Sequence, residues 1–219
     1  MPKRKLFSGP VPFLKPAVLV GSLFPFVALA IRAARGQLGA NPIATGLNQL
    51  GLVALVFLVA SLACTPLKLL FGWTWPIRIR RMLGLFAFFY AVAHFTVYLV
   101  LDLELNWSTL GADIAKRPYI TIGFTALLLL IPLAATSTNG MMRRLGRRWT
   151  SLHRLVYVIA ILGVWHFYWQ VKRDVREPLI YAGILALLLL YRVVRSARAR
   201  AHLASTSQIS QSLRVSASD

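Results

Sequence analysis

The sequence predicts an all-α integral membrane protein, built as a bundle of about six transmembrane helices with both termini in the cytoplasm. Of its 219 residues, 58% are hydrophobic and only 14% are charged, whereas about a quarter of the residues in a soluble domain are charged. The apolar residues lie in blocks close to the length that crosses about 30 Å of hydrocarbon. The basic residues lie in short runs between these blocks, which is typical of membrane topology signals.

Six apolar blocks are predicted to span the membrane, over residues 13–31, 47–67, 82–101, 119–135, 152–169 and 179–194. The first block also resembles a signal peptide, because Ala28-Leu29-Ala30 is similar to a small-residue cleavage site. A retained helix is preferred, since the blocks that follow span the membrane and need no separate export signal. The second block is predicted to end at Thr65-Pro66, because proline breaks or kinks a helix.

The order of these blocks divides the chain into three parts. Residues 1–12 are predicted to be a basic cytoplasmic N-terminus, residues 13–195 a six-helix transmembrane domain, and residues 196–219 a mostly disordered cytoplasmic tail. Short cytoplasmic loops carry an excess of Lys and Arg, and three alternating regions do so here, within residues 68–81, 143–148 and 195–200. No repeat of fixed period is evident.

The composition excludes several classes of function. A net charge of +19 would suggest nucleic-acid binding in a soluble protein. Here the basic residues border membrane spans, so they are expected to contact lipid headgroups, and no nucleic-acid partner is predicted. Cys64 is the only cysteine, so an internal disulfide, a four-cysteine iron–sulfur site and covalently attached c-type haem are all excluded. No Gly-x-Gly-x-x-Gly or P-loop motif indicates a nucleotide site.

Two intramembrane histidines are predicted to form the functional site. An ionisable side chain inside a membrane is costly and marks a functional site by default. His94 lies 13 residues after Arg81, and His166 lies 13 residues after His153 at the cytoplasmic edge, so both lie about 20 Å deep at 1.5 Å per residue. Two imidazoles at one depth on different helices can hold one haem iron. The alternatives are a hydrogen bond to a neighbouring helix and, less favoured, a zinc or copper site, since no carboxylate or cysteine is near in sequence.

His153 and the arginines near it allow several interpretations. On an ideal helix His153 and His166 would lie about 140° apart, so they share a face only if the helix is kinked or bulged. His153 could bind a second haem with an unusual partner, contact a quinone or flavin, or only orient its loop. Arg80, Arg81 and Arg154 could pair with haem propionates or a flavin phosphate, because guanidinium suits such groups, or could serve topology and lipid contact alone.

Several segments of the chain carry a family resemblance. They are Thr65-Pro66-Leu67, Arg80 to Leu85 with Tyr90 to His94, Arg117 to Ile120, Pro132 to Ser137, Trp149 to Tyr157, and His166 to Trp169. Together they resemble the ferric-reductase-like transmembrane domain and, within it, the MsrQ or YedZ family, the haem-binding subunits of the periplasmic methionine-sulfoxide reductase system. The resemblance covers residues 47–172 well and the ends loosely. Related oxidases carry two histidines on the third helix, whereas this chain has one there, which argues against a regular second bis-histidine haem.

The resemblance implies a subunit of the bacterial inner membrane that binds b-type haem and, as the family is described, FMN. Such a subunit takes electrons from the quinone pool or a cytoplasmic flavin reductase and delivers them to a periplasmic molybdenum-containing enzyme that reduces methionine sulfoxide in proteins. By position, His94, His153 and His166 are the candidate ligands, with one haem expected and a second left open. The chain would then be an electron-transfer subunit and not the catalytic one.

Two other functions stay open from the sequence. The same fold could serve as a ferric or cupric reductase that passes electrons to a metal ion. In a different class, the intramembrane histidines could relay protons in a small proton-coupled transporter. The sequence argues mildly against transport, because it shows no inverted repeat and no carboxylate deep in a helix.

Overall fold

The computed structural model describes residues 13–171 and 174–216, and within them it contains α-helices and no strand. The predicted basic N-terminus, residues 1–12, lies outside the described residues. The helices are α1 (Leu14–Ala34), α2 (Pro42–Phe71), α3 (Trp75–Val97), α4 (Trp107–Lys116), α5 (Pro118–Ala135), α6 (Asn139–Leu145), α7 (Arg147–His153), α8 (Leu155–Gln170) and α9 (Arg176–Ser216). A π-helical turn, Tyr98–Asp102, extends α3.

In the part of the chain that the structure describes, six stretches are long and apolar enough to cross a membrane: residues 14–34, 42–71, 75–102, 118–135, 147–170 and 176–201. The prediction of an all-α bundle of six transmembrane helices is therefore confirmed, and the chain is a multi-pass membrane protein. The cytoplasmic location of the termini stays a prediction.

Local sequence explains where several helices begin and end. Asn41 caps α2 by accepting a hydrogen bond from the Ala44 amide at 3.0 Å, as polar N-cap residues do. α2 ends at Gly72, whose φ of +74° is the left-handed conformation common after a helix C-terminus. Asn106 caps α4 in the same way, accepting from the Thr109 amide at 3.1 Å.

The second span does not end at Thr65-Pro66, which corrects the sequence prediction. α2 continues through Pro66 to Phe71. A proline in a helix interior has no amide hydrogen for the carbonyl four residues earlier, here that of Leu62. Arg192 of α9 donates a hydrogen bond to the Leu62 carbonyl instead. A neighbouring helix thus replaces the bond that the proline removes, so the helix need not break.

Four of the spanning helices form a closed ring. α2 contacts α3, α3 contacts α5, α5 contacts α8, and α8 contacts α2. Their inward faces bury the main apolar core, whose most buried members are Leu62, Ala87, Ile159 and Ala160. α1 packs outside the ring on α2 and α3, and α9 packs on α2 and α8. The ring is the part of the molecule that encloses internal space.

A buried tyrosine fixes α1 to this ring. Tyr90 of α3 is fully buried. Its hydroxyl donates a hydrogen bond to the Ser22 carbonyl at 2.6 Å and accepts one from the Phe26 amide at 3.1 Å. In a regular helix these two backbone groups would bond to each other, but Pro25 lies between them and interrupts the ladder. The hydroxyl is inserted into the opened turn, which joins α1 to the bundle by polar contacts.

The end of the bundle away from the arginine-rich segments 78–81 and 143–148, here called the far face, holds an unpredicted helix. This helix, α4, has only ten residues and follows the π-helical turn. The Tyr98 hydroxyl donates a hydrogen bond to Asp113 of α4 at 2.6 Å. The same carboxylate pairs with Arg117 at 3.1 Å. These bonds hold α4 between the end of α3 and the start of α5.

The fifth span is broken between His153 and His166. α7 ends at His153, Arg154 forms a turn, and α8 begins at Leu155. The two histidines therefore do not lie on one continuous helix, and the azimuth expected for an ideal helix does not apply to them.

The last helix extends well past the predicted sixth span. α9 has 41 residues, so its length of about 60 Å is roughly twice the thickness of the hydrocarbon layer. Its backbone is helical over 196–216, where the sequence predicts a mostly disordered tail. Disorder of this tail in solution stays a prediction.

Candidate functional site: a histidine pair inside the bundle

His94 and His166 meet in the middle of the ring of four helices. They lie on α3 and α8, on opposite sides of the ring. Their ring centroids are 6.1 Å apart, and the ring planes are inclined at 84°. A metal–imidazole bond is about 2 Å long and the ring centroid lies about 1 Å behind the bonding nitrogen, so an iron between two imidazoles requires centroids about 6 Å apart. The structure thus brings together the two histidines that the depth estimate paired.

Both imidazoles are oriented by the same kind of hydrogen bond. His94 Nδ1 lies 2.9 Å from the Leu47 carbonyl oxygen, and His166 Nδ1 lies 2.7 Å from that of Tyr119. A carbonyl can only accept, so each Nδ1 carries the proton and donates it. Each Nε2 is then unprotonated and keeps its lone pair, which is the form in which a histidine binds a metal.

The two imidazoles face an internal cavity of about 270 Å³, here called the histidine cavity. Its walls are mostly apolar, and Gly51 of α2 and Gly123 of α5 lie directly against the histidine rings. Its polar side chains other than the histidines are on the far-face side: Asn48, Tyr98, Asp102, Arg117 and Gln170. Arg117 is the one Lys or Arg among the described lining residues. Its pKa is raised, first by a hydrogen bond with Tyr119 and then by the Asp113 carboxylate, so it is always charged.

These residues fit a haem better than a bare metal ion. Among the residues that the structure describes, no group of three or more His, Cys, Asp or Glu could hold a metal ion. A zinc site needs at least three protein ligands, whereas haem iron takes four from the porphyrin and needs only the two axial ones. The glycines leave room beside the imidazoles, the walls are apolar, and Arg117 at the mouth suits a propionate carboxylate.

A second cavity, of about 560 Å³, lies on the arginine-rich side of the histidine cavity and is here called the arginine cavity. Leu58 and Leu130 line both cavities. The basic residues that line the second one are Arg78, Arg80, Arg81, Arg154 and His153. No Asp or Glu is among its described lining residues. Such a wall attracts an anionic ligand, because its positive charges face no carboxylate.

The three candidate arginines differ in how they are held. Arg80 donates a long hydrogen bond of 3.4 Å to the Thr65 hydroxyl. Arg81 donates to the Asn139 side chain and to the Met142 sulfur, the latter at 3.3 Å. The Arg154 side chain, in the turn between α7 and α8, is exposed and makes no hydrogen bond or ion pair with another described residue. All three guanidinium groups thus keep donors that an anion could use.

His153 differs from the other two histidines in its hydrogen bond. Its Nε2 lies 3.1 Å from the Thr136 hydroxyl, and this hydroxyl donates its own proton to the Pro132 carbonyl at 2.6 Å. Nε2 of His153 must therefore be the donor to Thr136. The ring also stacks on Trp149 with a centroid distance of 3.9 Å. His153 is the one histidine among the described residues of the arginine cavity, so the structure does not bring it together with the histidine pair.

Several site residues were missed in the sequence. Gly51 and Gly123 carry no side chain and lie within apolar blocks, where glycine is common in membrane helices. Arg117 lies between the predicted spans 82–101 and 119–135, and this position does not show that it lines an internal cavity. The one available signal was a glycine in a neighbouring apolar block at the expected depth of each paired histidine.

Comparisons with known proteins identify a family and several relatives of this chain. The family model described as "Ferric reductase like transmembrane component" matches residues 45–164. A relative from Rhodospirillum rubrum is 56% identical over 185 residues, which cover 84% of this chain and 89% of the relative. A relative from Herminiimonas arsenicoxydans is 51% identical and covers 82% and 84%, and one from Xanthomonas campestris pv. campestris is 58% identical and covers 74% and 75%.

All three relatives carry the name protein-methionine-sulfoxide reductase heme-binding subunit MsrQ. No solved structure matches the chain. The family model covers more than half of the chain, and the relatives share over half of their aligned residues with it. The chain therefore belongs to the ferric-reductase-like transmembrane family and, within it, to the MsrQ family.

Proposed function

We propose that this chain is the b-type haem subunit that carries electrons across the bacterial inner membrane to a periplasmic molybdenum-containing methionine-sulfoxide reductase, and so supports repair of oxidised proteins. The electrons would come from the quinone pool or from a cytoplasmic flavin reductase. The observation that carries the proposal is the pairing of His94 and His166, whose rings are 6.1 Å apart and whose Nδ1 atoms both donate to backbone carbonyls. The name of the relatives, which describes a heme-binding subunit, supports the same function.

In this proposal the residues of the histidine cavity hold and insulate the cofactor. His94 and His166 would be the axial ligands through Nε2. Haem supplies a reversible one-electron couple, whose potential depends on the axial ligands and the polarity around them. The mostly apolar walls would limit the access of water to the cofactor. Arg117, at the far-face mouth, would pair with a propionate, and its salt bridge to the Asp113 carboxylate keeps the guanidinium in place.

The arginine cavity is proposed to bind the group that donates electrons to the haem. The phosphate of FMN and the propionates of a second haem share one chemistry, an oxyanion that guanidinium groups bind. Arg80, Arg81 and Arg154 are the candidate partners. His153 donates through Nε2 to Thr136, so we assign it to the wall of this cavity, beside a flavin or quinone. A second haem ligated by His153 would first have to break that bond.

Absorption spectra test the haem proposal directly. Purified protein is expected to show a low-spin b-type spectrum that changes on dithionite reduction, with haem quantified as the pyridine haemochrome. His94→Ala and His166→Ala should each abolish the spectrum, because one axial imidazole is lost. His202→Ala, outside the predicted spans, is the matched control and should keep full haem. Full haem content in both cavity variants would show that the pair is not the site.

Turnover separates the proposed route from its alternatives. Reduced protein mixed with the periplasmic methionine-sulfoxide reductase should be reoxidised only when methionine sulfoxide is present. Reoxidation by ferric or cupric ions with no partner enzyme would indicate a metal reductase. A colourless protein that takes no haem and supports uptake driven by a pH gradient would indicate the transporter.

A further inference from the structure

The walls of the histidine cavity repeat once along the chain. Of its 26 described lining residues, 24 form 12 pairs whose members are 72 positions apart, and among these 26 only Asp102 and Arg117 have no counterpart. Six of the pairs are identical: Gly51 and Gly123, Ala54 and Ala126, Leu55 and Leu127, Leu58 and Leu130, His94 and His166, Phe95 and Phe167. The same offset relates α2 to α5 and α3 to α8. The ring of four helices therefore consists of two similar hairpins.

The hydrogen bonds of the histidines follow the same repeat. Each imidazole crosses its own hairpin and donates to a carbonyl 47 residues earlier in the chain. In both hairpins, the residue that supplies this carbonyl lies four positions before a glycine. The two sets, in the order acceptor, glycine and histidine, are Leu47, Gly51 and His94, and Tyr119, Gly123 and His166.

The space beside each glycine is filled by the imidazole. A Cβ added at Gly123 would lie 2.7 Å from His166 Nδ1 and 2.8 Å from its Cε1. A Cβ added at Gly51 would lie 3.2 Å from His94 Nδ1 and 3.3 Å from its Cε1. Both contacts are shorter than ordinary van der Waals contacts, and the one at Gly123 cannot be accommodated without moving the ring. Each ring thus occupies the place of a side chain.

Helix geometry explains why a glycine is found four residues after the acceptor. Cβ atoms in an α-helix tilt toward its N-terminus, so a side chain covers the surface of the preceding turn, including the carbonyl four residues earlier. That carbonyl already accepts one helical bond and has a second lone pair. Without a side chain at this position, the second lone pair can be reached by a group from the neighbouring helix.

We propose that Gly51 and Gly123 are positioning residues of the haem site, each opening one backbone carbonyl to an axial histidine in two equivalent half-sites. The inference rests on the proposed haem function and extends it to the backbone behind the ligands. A hydrogen bond from Nδ1–H makes the imidazole a more basic ligand, and such outer partners change metal affinity about 10- to 100-fold. Basicity of the axial ligand also sets the reduction potential.

Two glycine substitutions test the inference, and the added methyl group is closer to the imidazole at Gly123 than at Gly51. Gly123→Ala should lower haem affinity about 10- to 100-fold and remove the low-spin signature from any haem that stays bound, because the ring must leave its carbonyl. Gly51→Ala should keep haem but shift the midpoint potential to more positive values, since a weaker bond to the Leu47 carbonyl makes His94 less basic. Haem content, electron paramagnetic resonance and redox titration are the measurements.

Matched controls come from glycines with open space beside them. Nothing lies within 4 Å of a Cβ added at Gly46 of α2 or at Gly183 of α9. Gly46→Ala and Gly183→Ala should keep the haem content, spectrum and potential of the wild type. Monodisperse elution in detergent establishes that each variant is folded. If Gly123→Ala does not accumulate, the potential and resonance spectrum of Gly51→Ala decide the question.

The outcomes separate this inference from the proposed function. If His94→Ala and His166→Ala lose haem while both cavity glycine variants match the wild type, the inference is wrong and the function stands. Equal losses in the Gly46→Ala control would also overturn the inference, because any added methyl group would then have the same effect. Haem retained in both histidine variants would overturn the proposed function itself.

Discussion

No Asp or Glu is among the described residues that line the arginine cavity. Among the described residues the chain has one salt bridge, between Asp113 and Arg117 on the far face. Arg80 bonds to the neutral hydroxyl of Thr65, and Arg154 is exposed. Guanidinium groups that no nearby carboxylate neutralises are suited to an anionic ligand.

If FMN binds in the arginine cavity as proposed, the double variant Arg80→Gln/Arg154→Gln should retain less FMN after purification. A hydrogen bond to a charged group contributes about 1.5–3 kcal/mol, so the loss of one such contact weakens binding roughly 10- to 100-fold. The measurement is flavin fluorescence per mole of denatured protein. Arg143→Gln removes an exposed arginine of the same face outside the cavity. Equal FMN content in the double variant and the wild type, or an equal fall in the control, would contradict the prediction.

At the scale of residues, the sequence predicted the histidine pair but not the groups that orient it. Helix rise alone gives the same expected depth for His94 and His166, and the structure places their rings 6.1 Å apart. The acceptors are backbone carbonyls, which every residue has, so Leu47 and Tyr119 could not be singled out. The fixed offset of 72 residues was also missed, because only inward-facing positions share it and the loops between the helices differ.

At the scale of elements, two interior prolines are accommodated by side chains from other helices. Pro25 opens a turn of α1 that the hydroxyl of Tyr90 fills. Pro66 frees the Leu62 carbonyl, which accepts from Arg192. In hydrocarbon an unpaired backbone group is costly and no water is available to pair with it. The sequence prediction that α2 ends at Pro66 was wrong because this compensation comes from a residue 126 positions away.

Tyr90→Phe should weaken the attachment of α1 without affecting the histidine site. The variant leaves the Ser22 carbonyl and the Phe26 amide without the bridging hydroxyl, which costs about 1–2 kcal/mol. The expected fall in melting temperature in detergent is roughly 2–4 °C for each kcal/mol at this chain length, with an unchanged haem spectrum. Tyr181→Phe removes a hydroxyl that has no hydrogen bond to another described residue. A melting temperature equal to that of this control would contradict the prediction.

At the scale of the whole molecule, hydropathy predicts the number of spans and little of their arrangement. Each apolar block is long enough to identify alone, and all six are found. The ring order of α2, α3, α5 and α8 depends on which helix faces fit each other, and no single block contains that information. α4 was missed because its ten residues are too few to span and it lies at the surface of the far face.

The orientation of the bundle is predicted by the arginine-rich segments, which should lie in the cytoplasm. A green fluorescent protein fused after residue 201 should fluoresce, and alkaline phosphatase fused at the same position should be inactive, because it folds only in the periplasm. Alkaline phosphatase inserted in the loop at residues 104–106, on the far face, should be active. The reverse pattern of activities would show that the bundle is inverted.

The repeated half-sites have a consequence for how a porphyrin could sit between them. Successive spans alternate in direction, so we expect α2 to run parallel to α5 and α3 to α8. An approximate two-fold axis along the membrane normal would then relate the two hairpins. A half-turn about that axis exchanges the two faces of a porphyrin, which differ only in the order of methyl and vinyl groups. The half-sites cannot distinguish these rotational isomers. We expect the selection between them to come from unequal pairs in the wall, such as Leu52 opposite Phe124.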